Sequence, residues 1–122
     1  MIYLACPYTH PDPAVRQHRF REACRATAAL IRAGHVVFCP IVHSHPLVEF
    51  DLPTDWQSWE RIDREFLRRC DEIVVLMLEG WETSAGVRAE LAFAAEVGLP
   101  VHFLESDLAN SGGPNDADPR FV

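Results

Sequence analysis

Short apolar runs alternate along this chain with longer amphipathic segments. Residues 2–6 form the first run and read as a strand closed by Pro7. Asp12-Pro13 has the form of a helix N-cap followed by Pro at the first helical position, so a helix is expected over residues 13–33. Val15, Phe20, Cys24, Thr27, Ala28 and Ile31 recur near its 3.6-residue period, and Gly34 supplies the stop. Residues 35–40 are continuously apolar, the pattern of a strand buried on both faces of a parallel sheet. Residues 41–55, with His43, His45, Pro46 and Pro53, read as a loop. A second helix is expected over 56–69, its apolar face being Trp59, Ile62, Phe66 and Leu67. The strongest strand follows over 72–78. A loop then leads into a third helix over 84–97, ended by Gly98, and a last strand over 99–104.

The order strand–helix–strand–helix–strand–helix–strand, with right-handed crossovers, predicts an α/β fold. It would be a single-domain, open, mostly parallel, doubly wound sheet of about four to five strands, flavodoxin- or Rossmann-like. The domain is expected to occupy residues 1–105. Residues 106–122, rich in Asn, Gly, Asp and Pro, read as a flexible C-terminal tail. In such sheets ligands bind beyond the carboxyl ends of the strands. That directs attention to residues 7–13, 40–46 and 79–84.

Composition narrows the chemistry. The chain has 122 residues and a formal net charge of −7, which argues against a nucleic acid polymer as partner. All eleven basic residues are Arg, so a Schiff base through Lys is excluded. No apolar run approaches the ~20 residues of a membrane helix, and no signal-peptide pattern opens the chain, so a cytoplasmic protein without a membrane partner is expected. The four cysteines form no CxxC pair. His43-Ser44-His45 lacks a second cluster that would complete a metal site, and neither a metal nor another cofactor is expected.

The residues that could carry chemistry cluster in three places. Ser84 opens the third helix, with Gly86 in its first turn, where free backbone N–H groups suit a hydroxyl or a phosphate. Glu90 shares a helix face with Gly86 and stands among Val87, Leu91, Phe93 and Ala94. A carboxylate there is costly unless it has a partner or a task, and the alternative is a partly exposed Glu at the edge of the stripe. Asp63 lies four residues after Trp59 on the second helix; its alternative is a surface Asp paired with Arg. Tyr3 and Pro7-Tyr8 flank the end of the first strand, where a phenol could serve a carboxylate. His43 or His45 would line the pocket and contact a base, the alternative being a loop histidine in a structural hydrogen bond; Trp56 or Trp59 could stack on a base, the alternative being packing of the helix on the sheet.

Taken in order, several segments resemble one family. They are Ile2-Tyr3-Leu4-Ala5-Cys6-Pro7-Tyr8, Ala33-Gly34-His35-Val36-Val37, Ile62-Asp63-Arg64-Glu65-Phe66-Leu67, and Cys70-Asp71-Glu72-Ile73-Val74-Val75. They continue through Ser84-Ala85-Gly86-Val87-Arg88-Ala89-Glu90-Leu91-Ala92-Phe93-Ala94 and Gly98-Leu99-Pro100-Val101. The ensemble resembles the nucleoside 2-deoxyribosyltransferases with their nucleotide N-glycosidase branch, and more narrowly the DUF1937 group. The resemblance implies cleavage or transfer at an N-glycosidic bond of a small nucleoside or nucleoside 5′-monophosphate. Glu90 would be the nucleophile, forming a glycosyl ester. Asp63 would assist the leaving base, Tyr3 or Tyr8 would hold Glu90, and Ser84 with Gly86 would bind the 5′ side of the sugar. A homodimer or homotetramer is implied as well. The sequence departs from the pattern in two places. Pro7-Tyr8-Thr9-His10-Pro11 stands where the glycosidase branch has a Gly-rich phosphate loop, and Arg88 stands where relatives have Gly. Arg88 could pair with a phosphate or fill the space. The rival reading is a non-catalytic nucleotide-binding or sensor module, which would keep Ser84 and Gly86 without needing an ionised Glu90.

Overall fold

The computed structural model describes residues 1–106. Its elements are β1 (Ile2–Ala5), α1 (Pro13–Arg32), β2 (Val37–Phe38), α2 (Pro40–Val48), α3 (Trp56–Arg68), β3 (Glu72–Leu76), α4 (Ala85–Val97) and β4 (Val101–Leu104), with a short 3-10 turn at Trp81–Thr83. The four strands form one parallel sheet in the order β2-β1-β3-β4. The expected open parallel α/β sheet is therefore the observed one, with four strands and four flanking helices.

Alternation along the central strands divides the core into two layers. Ile2, Leu4 and Cys6 of the β1 segment and Val74 and Leu76 of β3 face Ala23, Ala26 and Leu30 of α1 and Ile41 of α2. Tyr3 and Ala5, with Ile73 and Val75, face Leu67 of α3 and Val87, Phe93 and Ala94 of α4. Helices thus cover both faces, and Tyr3 belongs to the layer beneath α3 and α4.

The helix ends follow their sequence signals. The Asp12 carboxylate accepts from the Ala14 N–H at 2.9 Å, with Pro13 next in line. Ser84 Oγ accepts from the Val87 N–H at 3.2 Å, and Gly98 closes α4 at φ 75°.

Three expectations are corrected. Residues 41–55 are not all loop, because α2 occupies Pro40–Val48. Pro40 sits where a helix tolerates the missing N–H, and Pro46 lies far enough along to leave the first turns intact. The second strand is two residues long and half-buried at the sheet edge, rather than buried on both faces. The buried stripes also differ. In α1 it consists of Ala23, Ala26, Ala29 and Leu30, while Ile31 is exposed. In α3 it is Asp63 and Leu67, while Ile62 and Phe66 lie at the rim, Phe66 stacked on Phe38 with ring centroids 4.0 Å apart. Small side chains let α1 approach the sheet closely, so alanine does the packing that larger residues were expected to do. The expectation for the C-terminal tail falls on residues outside those described, apart from Ser106.

Candidate active site

α3 and α4 each place a carboxyl group in an otherwise apolar stripe. Val87, Glu90, Phe93 and Ala94 are the buried residues of α4, and Asp63 with Leu67 those of α3. The 3.6-residue period turns these positions toward the sheet whatever their polarity. Glu90 is 4% exposed and Asp63 7%.

The Tyr3 hydroxyl donates to Glu90 Oε2. Tyr8, the other candidate, bonds elsewhere: its hydroxyl lies 2.7 Å from His45 Nδ1. Burial foremost, reinforced by the nearby Glu90 and Asp63 carboxyls, pushes the Tyr3 phenol well above its ordinary range, so it keeps its proton and acts as donor. Burial likewise pushes Glu90 up. The Tyr3 hydrogen bond pulls it down and the Asp63 charge pushes it up again, for a net shift well above the usual carboxylate range. Burial alone moves Asp63 up to about 7. Among the described residues nothing hydrogen-bonds the Asp63 carboxyl.

Both carboxyls line one cavity of about 580 Å³ beyond the carboxyl ends of β1 and β3. Ser84, Ala85 and Gly86 at the start of α4 line it too, as do Trp56 and Trp59 of α3. A Cβ added to Gly86 would lie 3.4 Å from the Trp56 ring, so that glycine sets how closely α3 and α4 approach. Trp59 is held by its Nε1–H, which donates to the Pro53 carbonyl at 2.7 Å.

The mouth is tied by Arg19 of α1. Its guanidinium donates to the carbonyls of Thr9 at 3.1 Å and Glu79 at 3.2 Å, linking the β1–α1 and β3–α4 connections. Gly80, at φ 90°, leaves room for it: a Cβ there would stand 2.8 Å from the Arg19 terminal nitrogen. Gly80→Ala is therefore expected to lower stability by about 1–2 kcal/mol, from the positive φ and from displacement of Arg19. Urea denaturation checks this; an unchanged midpoint would refute it.

Tyr3 is fully buried behind Glu90 and does not itself line the cavity, and four further candidate residues fall outside it. His43 turns to the aromatic pair, with its ring 6.1 Å from Phe38 and 6.2 Å from Phe66. His45 is engaged by Tyr8 on one nitrogen and by Gln17 Oε1, at 2.9 Å, on the other, and it stacks on Phe20. Arg88 points to the outside of α4, its Nε–H donating to the Glu82 carbonyl at 2.9 Å. Pro7 is packed in the interior instead of lining the cavity. The helical form of α2 is the reason for both histidine corrections, since it fixes the directions that a loop would leave free. Conversely, Ser44, Ile41, Cys6 and Arg19 line the cavity. Of these, Ile41 and Ser44 lie in the segment 40–46 expected beyond the second strand, but neither was singled out there. The spacing of Pro40, Ile41 and Ser44 carried the signal, but it is legible only once that segment is a helix.

Among the described residues, no group of three or more His, Cys, Asp or Glu side chains is placed to hold a metal ion. No helix among them is long and apolar enough to cross a membrane.

A family model described as a domain of unknown function, DUF1937, matches residues 1–106. The chain belongs to the DUF1937 family. No curated protein matches it. The DUF1937 match runs from the residue before β1 to two residues beyond β4, so Tyr3, Asp63, Ser84, Gly86 and Glu90 all lie within it.

Proposed function

We propose that this DUF1937 protein cleaves the N-glycosidic bond of a small nucleoside or nucleoside 5′-monophosphate, releasing the base to water or passing the sugar to a second base. The supporting observation is the pairing of two buried carboxyls in one cavity, with the Tyr3 hydroxyl donating to Glu90 while Asp63 has no hydrogen-bond partner among the described residues.

The chemistry divides between them. A carboxylate oxygen of Glu90 forms a bond to C1′ as the C1′–N bond breaks, and that bond's electron pair leaves with the base. Asp63, moved up to about 7, carries the proton the departing nitrogen needs near neutral pH. Protonated Asp63 also adds no negative charge beside Glu90, so the two roles support each other. Glu90 must be ionised to attack. The Tyr3 donor favours that form against burial, and the positive charge that develops on the sugar favours it further. In the second half, water attacks C1′ as the ester C1′–O bond breaks, its electron pair returning to Glu90 as the carboxylate, and the water gives its proton to the Asp63 carboxylate; an incoming base in place of water yields transfer. Ser84 and Gly86, at the opening of α4, hold the 5′ side of the sugar. The assembly that carries this out is a homodimer or homotetramer in the cytoplasm.

The test is chromatography of the purified protein with ribo- and deoxyribonucleosides and their 5′-monophosphates, with and without an acceptor base. Free or exchanged base is the expected product, and its absence across the panel would count against the reading. Tyr3→Phe gives an independent check. Without the donor Glu90 is pushed still higher, so the acidic limb of the kcat/KM profile should move to higher pH. An unmoved limb would separate Tyr3 from the ionisation of Glu90.

A further inference from the structure

Positions 43 to 45 stand on one turn of α2, and the helix sends them in three directions. His43 goes to the Phe38–Phe66 stack and His45 to Tyr8 and Gln17. Ser44 lines the cavity together with Pro40 and Ile41, and these three are the buried residues of α2. Ser44 is 9% exposed and lines the cavity. A hydroxyl on a cavity wall takes as its partner whatever fills the cavity, and a ligand that offered it none would leave it buried and unpaired.

The surroundings indicate the filler. α2 offers two apolar side chains and one hydroxyl, while α3 offers the indoles of Trp56 and Trp59 beside the Asp63 carboxyl. A sugar against Pro40 and Ile41 would bury hydroxyls with nothing to pair them. A planar heterocycle has apolar faces for these walls and a polar edge for the two hydrogen-bonding groups.

We propose that Ser44 is a specificity-determining residue, its hydroxyl hydrogen-bonding the edge of a base that lies between α2 and α3. The inference rests on the proposed function for the nature of the ligand, and it adds where the base sits and what reads it. A site built to pair one polar group of a substrate discriminates strongly against an analogue that lacks it, because its own group is then left unpaired.

Ser44→Ala removes the hydroxyl at a position where Ala favours the helix, and Ser44→Thr restores one. For the preferred substrate, Ser44→Ala should raise KM about 10- to 100-fold, within the range for a lost buried hydrogen bond, with kcat little changed. An analogue without the matching group on its base should not respond to the substitution, and Ser44→Thr should recover most of the loss. An equal loss on every base, or no loss, would overturn the proposal. If wild type cleaves nothing, free adenine, guanine, hypoxanthine, cytosine and uracil are titrated by calorimetry into wild type and Ser44→Ala. A base that binds wild type at least about tenfold tighter than the variant supports the proposal while removing the glycosidase reading. No binding to wild type, or equal binding to both proteins, overturns the role of Ser44 itself.

Discussion

Glu90→Ala is expected to abolish base release, with kcat/KM falling by at least about a thousandfold, as losses of a covalent nucleophile do. Glu90 is 4% exposed, receives the Tyr3 hydroxyl and faces the cavity. Removing it takes away the carboxylate to which the Tyr3 hydroxyl donates. Fold loss is not the expected cause, since burial pushes the Glu90 carboxyl well up and its charged form is a burden to the folded state. Two measurements separate the readings. Chromatography reports base release by wild type and variant, and intact mass spectrometry of rapidly quenched wild type looks for the sugar as an added mass that the variant lacks. A variant as active as wild type would remove Glu90 from the chemistry and shift weight to a non-catalytic nucleotide-binding module.

Asp63→Asn should act in opposite directions on stability and activity. The folded protein holds the Asp63 proton up to about pH 7, whereas the unfolded chain releases it near 3.8. Between those values the native state binds more protons than the unfolded state, so stability falls as pH rises and levels off above about 7. Three pKa units correspond to about 4 kcal/mol, an upper figure for a group that still touches the cavity. Asn keeps the shape and removes the titration. The variant should match wild type near pH 4 and exceed it by roughly 2–4 kcal/mol at pH 8 in urea denaturation. Its catalytic rate should fall by about 10²–10⁴, since the acid is gone. A variant less stable than wild type at pH 8 would mean that Asp63 is satisfied as a charge, which would end its assignment as an acid.

The sheet was legible in the sequence because its signal is local. β1 and β3 are dense apolar runs, and Asp12, Ser84 and Gly98 mark helix ends by their own backbone chemistry. α2 was not legible: nine residues containing an interior Pro and two His do not display a helical stripe, and its stability comes from seating Pro40 and Ile41 in the core. Glu90 and Asp63 stood out as carboxyls in otherwise apolar stripes, a conflict between local pattern and polarity that tends to mark sites. The choice between Tyr3 and Tyr8 could not be made from residues alone. Alternation says that Tyr3 faces one side of the sheet, but only the packing says that α4 covers that side. His43 and His45 misled for the same reason as Ser44 hid, because a helix assigns directions that a list of residue types does not contain.

Arg19 adds a constraint of another sort. One guanidinium from the opposite helix fastens the two connections at the rim, at Thr9 and at Glu79. The rim therefore behaves as one part rather than two loops. An engineer who lengthens the β3–α4 connection to admit a bulkier substrate would also unfasten Thr9, and a graft of either connection into another scaffold would have to bring Arg19 along.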